Sequence, residues 1–183
     1  MDRDWVAGDA PAAAQIFPIT LVLGGARSGK SRFAERLIES CGGGVYLATG
    51  EARDAEMEAR IAEHRARRGA DWSTVEEPIE LAAALRQAAG TGRPVLVDCL
   101  TLWLSNLMLA EIDIEAKTAE LLTALPQLTV PVIFIANEVG LSIVPDNRLA
   151  RRFRDEAGIL NQRIAEAATR VTFVAAGLPL TLK

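Results

Sequence analysis

Apolar and polar positions alternate in two textures along the chain. Ile19–Leu23 (ITLVL), Val45–Thr49 (VYLAT), Pro94–Cys99 (PVLVDC) and Val130–Val139 (VPVIFIANEV) are short and almost continuously apolar. Such runs suit strands covered on both faces, where neither side of the pleat meets water. Between them lie stretches with apolar residues every three or four positions, which predict amphipathic helices. They fall at about 31–40, 53–69, 79–89, 100–111, 114–125 and 147–168. CGGG stops the first, a turn near Asp113 separates the fourth from the fifth, and Gly158 sits in the middle of the last. WSTVEEP, 72–78, suits a short strand or an extended segment. RVTFVAAG and LPLTLK read as two closing strands joined through Gly177 and Pro179.

Buried strands alternating with helices predict an α/β fold with a mostly parallel sheet and helices on both faces. The closing pair can form a hairpin that adds one antiparallel edge strand. No internal repeat or linker divides the chain. Residues 1–18 are expected to be a loose extension and 19–183 a single nucleotide-binding catalytic domain. The first residues carry acids and no apolar core, unlike a signal peptide.

One junction in this pattern carries chemistry. GGARSGKS, Gly24–Ser31, lies between the first strand and the first helix and fits G-x-x-x-x-G-K-[ST]. Glycines let the backbone turn its N–H groups onto phosphate oxygens. Lys30 offsets charge on the β- and γ-phosphates, Ser31 can ligate Mg²⁺, and the helix that follows points its positive end at the phosphates. Asp98 closes the strand VLVD, where such an enzyme needs an acid to hold the metal or to accept a proton.

The single histidine, His64, falls in MEARIAEHRARRG. On a helix it continues a stripe with Met57 and Ile61, as a core-margin residue would. Yet Arg60, Arg67 and Arg68 share its surface and Arg65 adjoins it. Such crowding calls for an anion, and the positive charge keeps the imidazole neutral and nucleophilic. A kinase needs no such group; a nucleotidyl transferase with a covalent intermediate does.

These segments resemble the bifunctional adenosylcobinamide kinase / adenosylcobinamide-phosphate guanylyltransferase family. The resemblance spans nearly all of Leu21–Lys183. It rests on GGARSGKSRFAE, YLATGEARDAEMEARIAEHRARRGADW, LVDCLTLWLSNL, NEVGLSIVPDNRLARRFRDEAGILNQRIA and GLPLTLK. It implies a P-loop, RecA-like fold and a homotrimer. It also implies two reactions: phosphorylation of adenosylcobinamide by ATP or GTP, then transfer of GMP from GTP to adenosylcobinamide phosphate through a guanylylated histidine, here His64. The implied nucleotide contacts are Gly24, Gly25, Ala26, Arg27, Ser28, Gly29, Lys30, Ser31, Thr49, Gly50, Glu51, Arg65, Ala66, Arg67, Arg68, Glu76 and Asp98, with Glu77 adjoining Glu76. Ser31 and Asp98 are the implied Mg²⁺ ligands.

Composition narrows the picture further. Over 183 residues, 50% are hydrophobic and 24% charged, and the net charge of −4 argues against non-specific nucleic-acid binding. No stretch reaches the ~18 uninterrupted apolar residues of a membrane span, so a cytoplasmic location is expected. Cys41 and Cys99, both beside apolar residues, are expected to be reduced core thiols. Arg148, Arg151 and Arg152 share a helix face and suit either phosphates or pairing with Asp146, Asp155 and Glu156. Two rivals remain at this level: a plain small-metabolite kinase with a structural His64, and a nucleotide-driven switch.

Overall fold

A computed structural model describes residues 16–50 and 69–183. The strands are β1 (Ile19–Gly24), β2 (Gly44–Ala48), β3 (Trp72–Glu76), β4 (Val95–Asp98), β5 (Val132–Asn137), β6 (Arg170–Ala175) and β7 (Leu178–Thr181). The helices are α1 (Lys30–Glu39), α2 (Leu81–Ala89), α3 (Leu100–Leu109), α4 (Ile114–Ala124) and α5 (Arg148–Ala167). The strands form one seven-stranded sheet in the order β3-β2-β4-β5-β1-β6-β7. All neighbours are parallel except β6 and β7, which close as the expected antiparallel edge pair. The extended segment at 72–78 resolves as edge strand β3.

Alternate residues of each strand feed two cores. Leu21, Val45, Leu47, Val95, Val97 and Phe134 point to the face covered by α2, α3, α4 and α5. Val22, Tyr46, Leu96, Ile133, Ile135 and Val174 point to the other, where α1 packs Ala34 and Ile38. This parity explains why the strands read as unbroken apolar runs. α3 is a core helix: Leu100, Trp103, Leu104 and Leu107 are buried, and the Trp103 indole donates to the Ile79 carbonyl at 2.8 Å. Each such buried side chain is worth about 1.5–3 kcal/mol. An exposed pair such as Arg152–Glu156, 3.9 Å apart on α5, contributes about 0–1 kcal/mol. Packing, not surface charge, therefore places α5.

Local stops follow side-chain chemistry. Asp113 accepts from the Ala116 N–H to start α4, and Asn147 accepts from the Ala150 N–H to start α5. α5 runs unbroken over 20 residues through Gly158. The expectation of two core thiols is corrected at Cys41: Cys99 is buried, but Cys41 is exposed, in the turn that closes α1. The three glycines after it make that turn and carry nothing to cover the thiol. Arg151 donates to the carbonyls of Pro145 and Asp146, tying α5 to the loop before it. No helix among the described residues is long and apolar enough to cross a membrane.

Candidate active site

The carboxyl ends of β1, β4 and β5 lie side by side, with Gly24 in register with Asn137 and Asp98 with Ile135. In open α/β sheets this edge is where ligands sit. The phosphate loop rises from it. Gly24 ends β1; a Cβ there would lie 2.5 Å from both the Val174 carbonyl oxygen and Ser28 Oγ. Gly29 adopts φ 94° and caps α1, which offers neither a side-chain cap nor an acid in its first turn. The first turn of α1 therefore carries no side-chain cap, whereas the first turns of α4 and α5 are capped by Asp113 and Asn147.

The Lys30 side chain folds back onto its own loop, where the ammonium donates to the Gly25 carbonyl at 3.1 Å. The hairpin between β6 and β7 supports the loop from beneath. The Gly177 N–H donates to the Ser28 carbonyl at 2.8 Å, and a Cβ on Gly29 would lie 3.1 Å from Gly177 Cα.

Asp98 stands half-buried at the end of β4, where the Tyr46 hydroxyl donates to its Oδ2 at 2.9 Å. Thr49 is at the end of β2, but its polar groups are spent internally. Its hydroxyl donates to the Cys99 carbonyl at 2.7 Å and accepts from the Cys99 N–H at 2.8 Å. Its N–H donates to the Asp98 carbonyl and its carbonyl accepts from Asn106 Nδ2. Thr49 thus braces the backbone at Asp98 and Cys99. Burial, reinforced by the Asp98 carboxylate, pushes the Cys99 thiol from an ordinary 9.0 to about 12. It is inert at neutral pH.

Glu76 ends β3 and is exposed, while the adjoining Glu77 accepts from the N–H groups of Ile79 and Glu80. Glu77 is therefore committed to starting α2. His64, Arg65, Ala66, Arg67, Arg68 and Glu51 lie outside the described residues, as does Arg60.

Sequence reasoning missed three residues here. Tyr46 reads as a strand residue, yet it reaches Asp98. Asn106 is buried and ties the carbonyls of Thr49 and Pro78 together. Thr101 accepts from the Asn137 N–H at 2.7 Å. The available signal was polarity: Thr101 and Asn106 interrupt an otherwise apolar helix face.

Among the described residues no group of three or more His, Cys, Asp or Glu gathers to hold a metal. The donors present are the Ser31 hydroxyl and the Asp98 carboxylate, whose Oδ1 accepts no hydrogen bond from a described residue. Two hard oxygens suit a largely hydrated Mg²⁺, which completes its shell with phosphates and water. They do not suit zinc. A shallow hollow between α4 and α5, lined by Ile114, Thr118 and Leu160, contains no phosphate-loop residue.

Residues 20–182 match the family model described as cobinamide kinase / cobinamide phosphate guanyltransferase. The chain is 55% identical over 166 residues to the bifunctional adenosylcobalamin biosynthesis protein CobP of Pseudomonas aeruginosa, covering 89% of this chain and 96% of that one. It is 39% identical over 178 residues to the protein CobU of Escherichia coli, covering 89% and 98%. Among solved structures it resembles the flagellar accessory protein FlaH from Methanocaldococcus jannaschii, with TM-score 0.53, 12% identity and coverage of 92% and 79%. It also resembles the RadB recombinase, with TM-score 0.51, 17% identity and coverage of 86% and 74%. At that identity the likeness is one of fold, that of RecA-like P-loop NTPases.

Proposed function

We propose, for a chain that belongs to the cobinamide kinase / cobinamide phosphate guanyltransferase family, that two transfers run on one phosphate-binding edge. In the first, a nucleoside triphosphate phosphorylates the aminopropanol hydroxyl of adenosylcobinamide. In the second, GTP guanylylates His64, and the GMP passes to adenosylcobinamide phosphate to give adenosylcobinamide-GDP. The observation that best supports this is the pairing of an uncapped, glycine-led α1 with an acid two strands away at the end of β4.

Gly24–Ser31 wrap the phosphates through backbone N–H groups, and Lys30 leaves the Gly25 carbonyl for the β- and γ-phosphates. Ser31 and Asp98 would hold Mg²⁺, which supplies charge neutralisation at the transferring phosphoryl group. Asp98 also stands where it can take the proton of the attacking hydroxyl. Gly50, Glu51, Arg65, Ala66, Arg67, Arg68 and Glu76 complete the nucleotide contacts. For the second transfer a neutral His64 nitrogen attacks the α-phosphorus and pyrophosphate leaves. The phosphate oxygen of adenosylcobinamide phosphate then displaces the imidazole. Residues 19–183 act as one catalytic unit, in the cytoplasm, in a homotrimer. Sedimentation equilibrium of the nucleotide-bound protein tests the assembly, and a mass of one 19.6 kDa chain would refute it.

His64→Ala separates the two transfers. Covalent label from α-labelled GTP should vanish and guanylyl transfer should fall to background. Phosphorylation should largely persist, because Lys30, Ser31 and Asp98 are untouched. Lys30→Ala should instead abolish phosphorylation. Label retained by His64→Ala would sink the covalent mechanism and favour a plain kinase.

A further inference from the structure

Tyr46 lies on β2 opposite Leu96 of β4, and Asp98 follows Leu96 by two residues. All three side chains therefore leave the sheet on the α1 side. Tyr46 and Asp98 are diagonal neighbours, a separation that a long aromatic side chain can bridge. The phenol is buried to 6% exposure, and Trp72 packs against it edge-on with ring centroids 6.4 Å apart. The ring cannot swing without displacing that indole or the strand beside it. A buried tyrosine hydroxyl needs a partner, and this one donates to Asp98 Oδ2 at 2.9 Å.

The carboxylate is thereby held from one side. Thr49 fixes the backbone on the other, through the Asp98 carbonyl and both peptide groups of Cys99. With Oδ2 engaged by the phenol, Oδ1 is the carboxylate oxygen that accepts no hydrogen bond from a described residue. We infer that Tyr46 is a positioning residue: it locks the Asp98 carboxylate in the rotamer that offers Oδ1 to the divalent cation of the nucleotide complex. The inference rests on the proposed metal-holding role of Asp98.

Partners of this kind commonly change metal affinity by about 10- to 100-fold when removed. Tyr46→Phe deletes only the hydroxyl and keeps the ring against Trp72. The probe is Mn²⁺, titrated by electron paramagnetic resonance into the full chain bound to a non-hydrolysable GTP analogue. Tyr46→Phe should weaken Mn²⁺ about tenfold. It should raise the Mg²⁺ needed for half-maximal phosphorylation by a similar factor, with the saturated rate falling less. Asp98→Asn should weaken Mn²⁺ at least as much, and adding Tyr46→Phe to it should change nothing more. Unchanged Mn²⁺ affinity in Tyr46→Phe beside a loss in Asp98→Asn would overturn the role of Tyr46 and leave that of Asp98 standing. Unchanged affinity in both would overturn the metal role itself. Independent, multiplying losses in the double variant would show Tyr46 acting elsewhere than through Asp98. A lower melting temperature with unchanged Mn²⁺ affinity would make the hydrogen bond structural only.

Discussion

At the scale of single residues the phosphate loop depends on where a methyl group can be tolerated. Gly24 has no room: the Val174 carbonyl that its Cβ would meet belongs to strand β6, and only the Ser28 side chain can turn away. Gly25 is different, since a Cβ there meets nothing within 4 Å. Gly24→Ala should therefore cost about 1–3 kcal/mol, as overpacking does. Gly25→Ala should leave the stability of the ligand-free protein within about 0.5 kcal/mol of wild type. Urea unfolding of both variants checks this. Equal stability would mean that β1 and β6 shift apart more easily than their parallel pairing implies.

Among elements, the β6–β7 hairpin carries more than an edge. Its two turn residues, Ala176 and Gly177, have φ of 50° and 79°, as a two-residue type I′ turn requires. The same Gly177 N–H holds the Ser28 carbonyl. Gly177→Ala has open space for its methyl group but a strained φ. It should destabilise by about 1 kcal/mol. Because the turn buttresses the loop, GTP affinity should fall with it; calorimetric titration reads that second effect. Lost stability with unchanged GTP affinity would show that the loop holds its shape without the hairpin.

Over the whole molecule, Cys99 links folding to pH. Its folded value is raised, from 9.0 to about 12, because burial disfavours the thiolate. Below pH 9 the thiol is protonated in both states and folding pays nothing for it. Between 9 and 12 the unfolded chain loses this proton while the native chain keeps it, so stability should fall by up to about 1.4 kcal/mol per pH unit. Cys99→Ser, compared with wild type by denaturation at pH 8 and pH 10.5, should remove that part of the slope. At pH 8 a thiol reagent should modify Cys41 in the native state and Cys99 only after unfolding. Rapid native modification of both would contradict the burial of Cys99.

The phosphate loop, the strand-end acid, the α/β alternation and the closing antiparallel pair were legible in the sequence by itself. Each is written in near-neighbour terms: an eight-residue spacing, an apolar run, a turn residue. The reading of His64 and its arginines rests on the same kind of local spacing, and those residues lie outside the described ones. What the sequence left open was long-range pairing. Strand order, with β4 and β5 between β2 and β1, follows from how seven strands and their helices bury two faces at once. The fate of Cys41 was misjudged because apolar neighbours in sequence say nothing about cover in space. The Tyr46–Asp98 hydrogen bond joins residues 52 positions apart, and Asn106 reaches Thr49 across 57. Only the sheet, by setting β2 beside β4 in one register, brings those polar groups to the same buried edge.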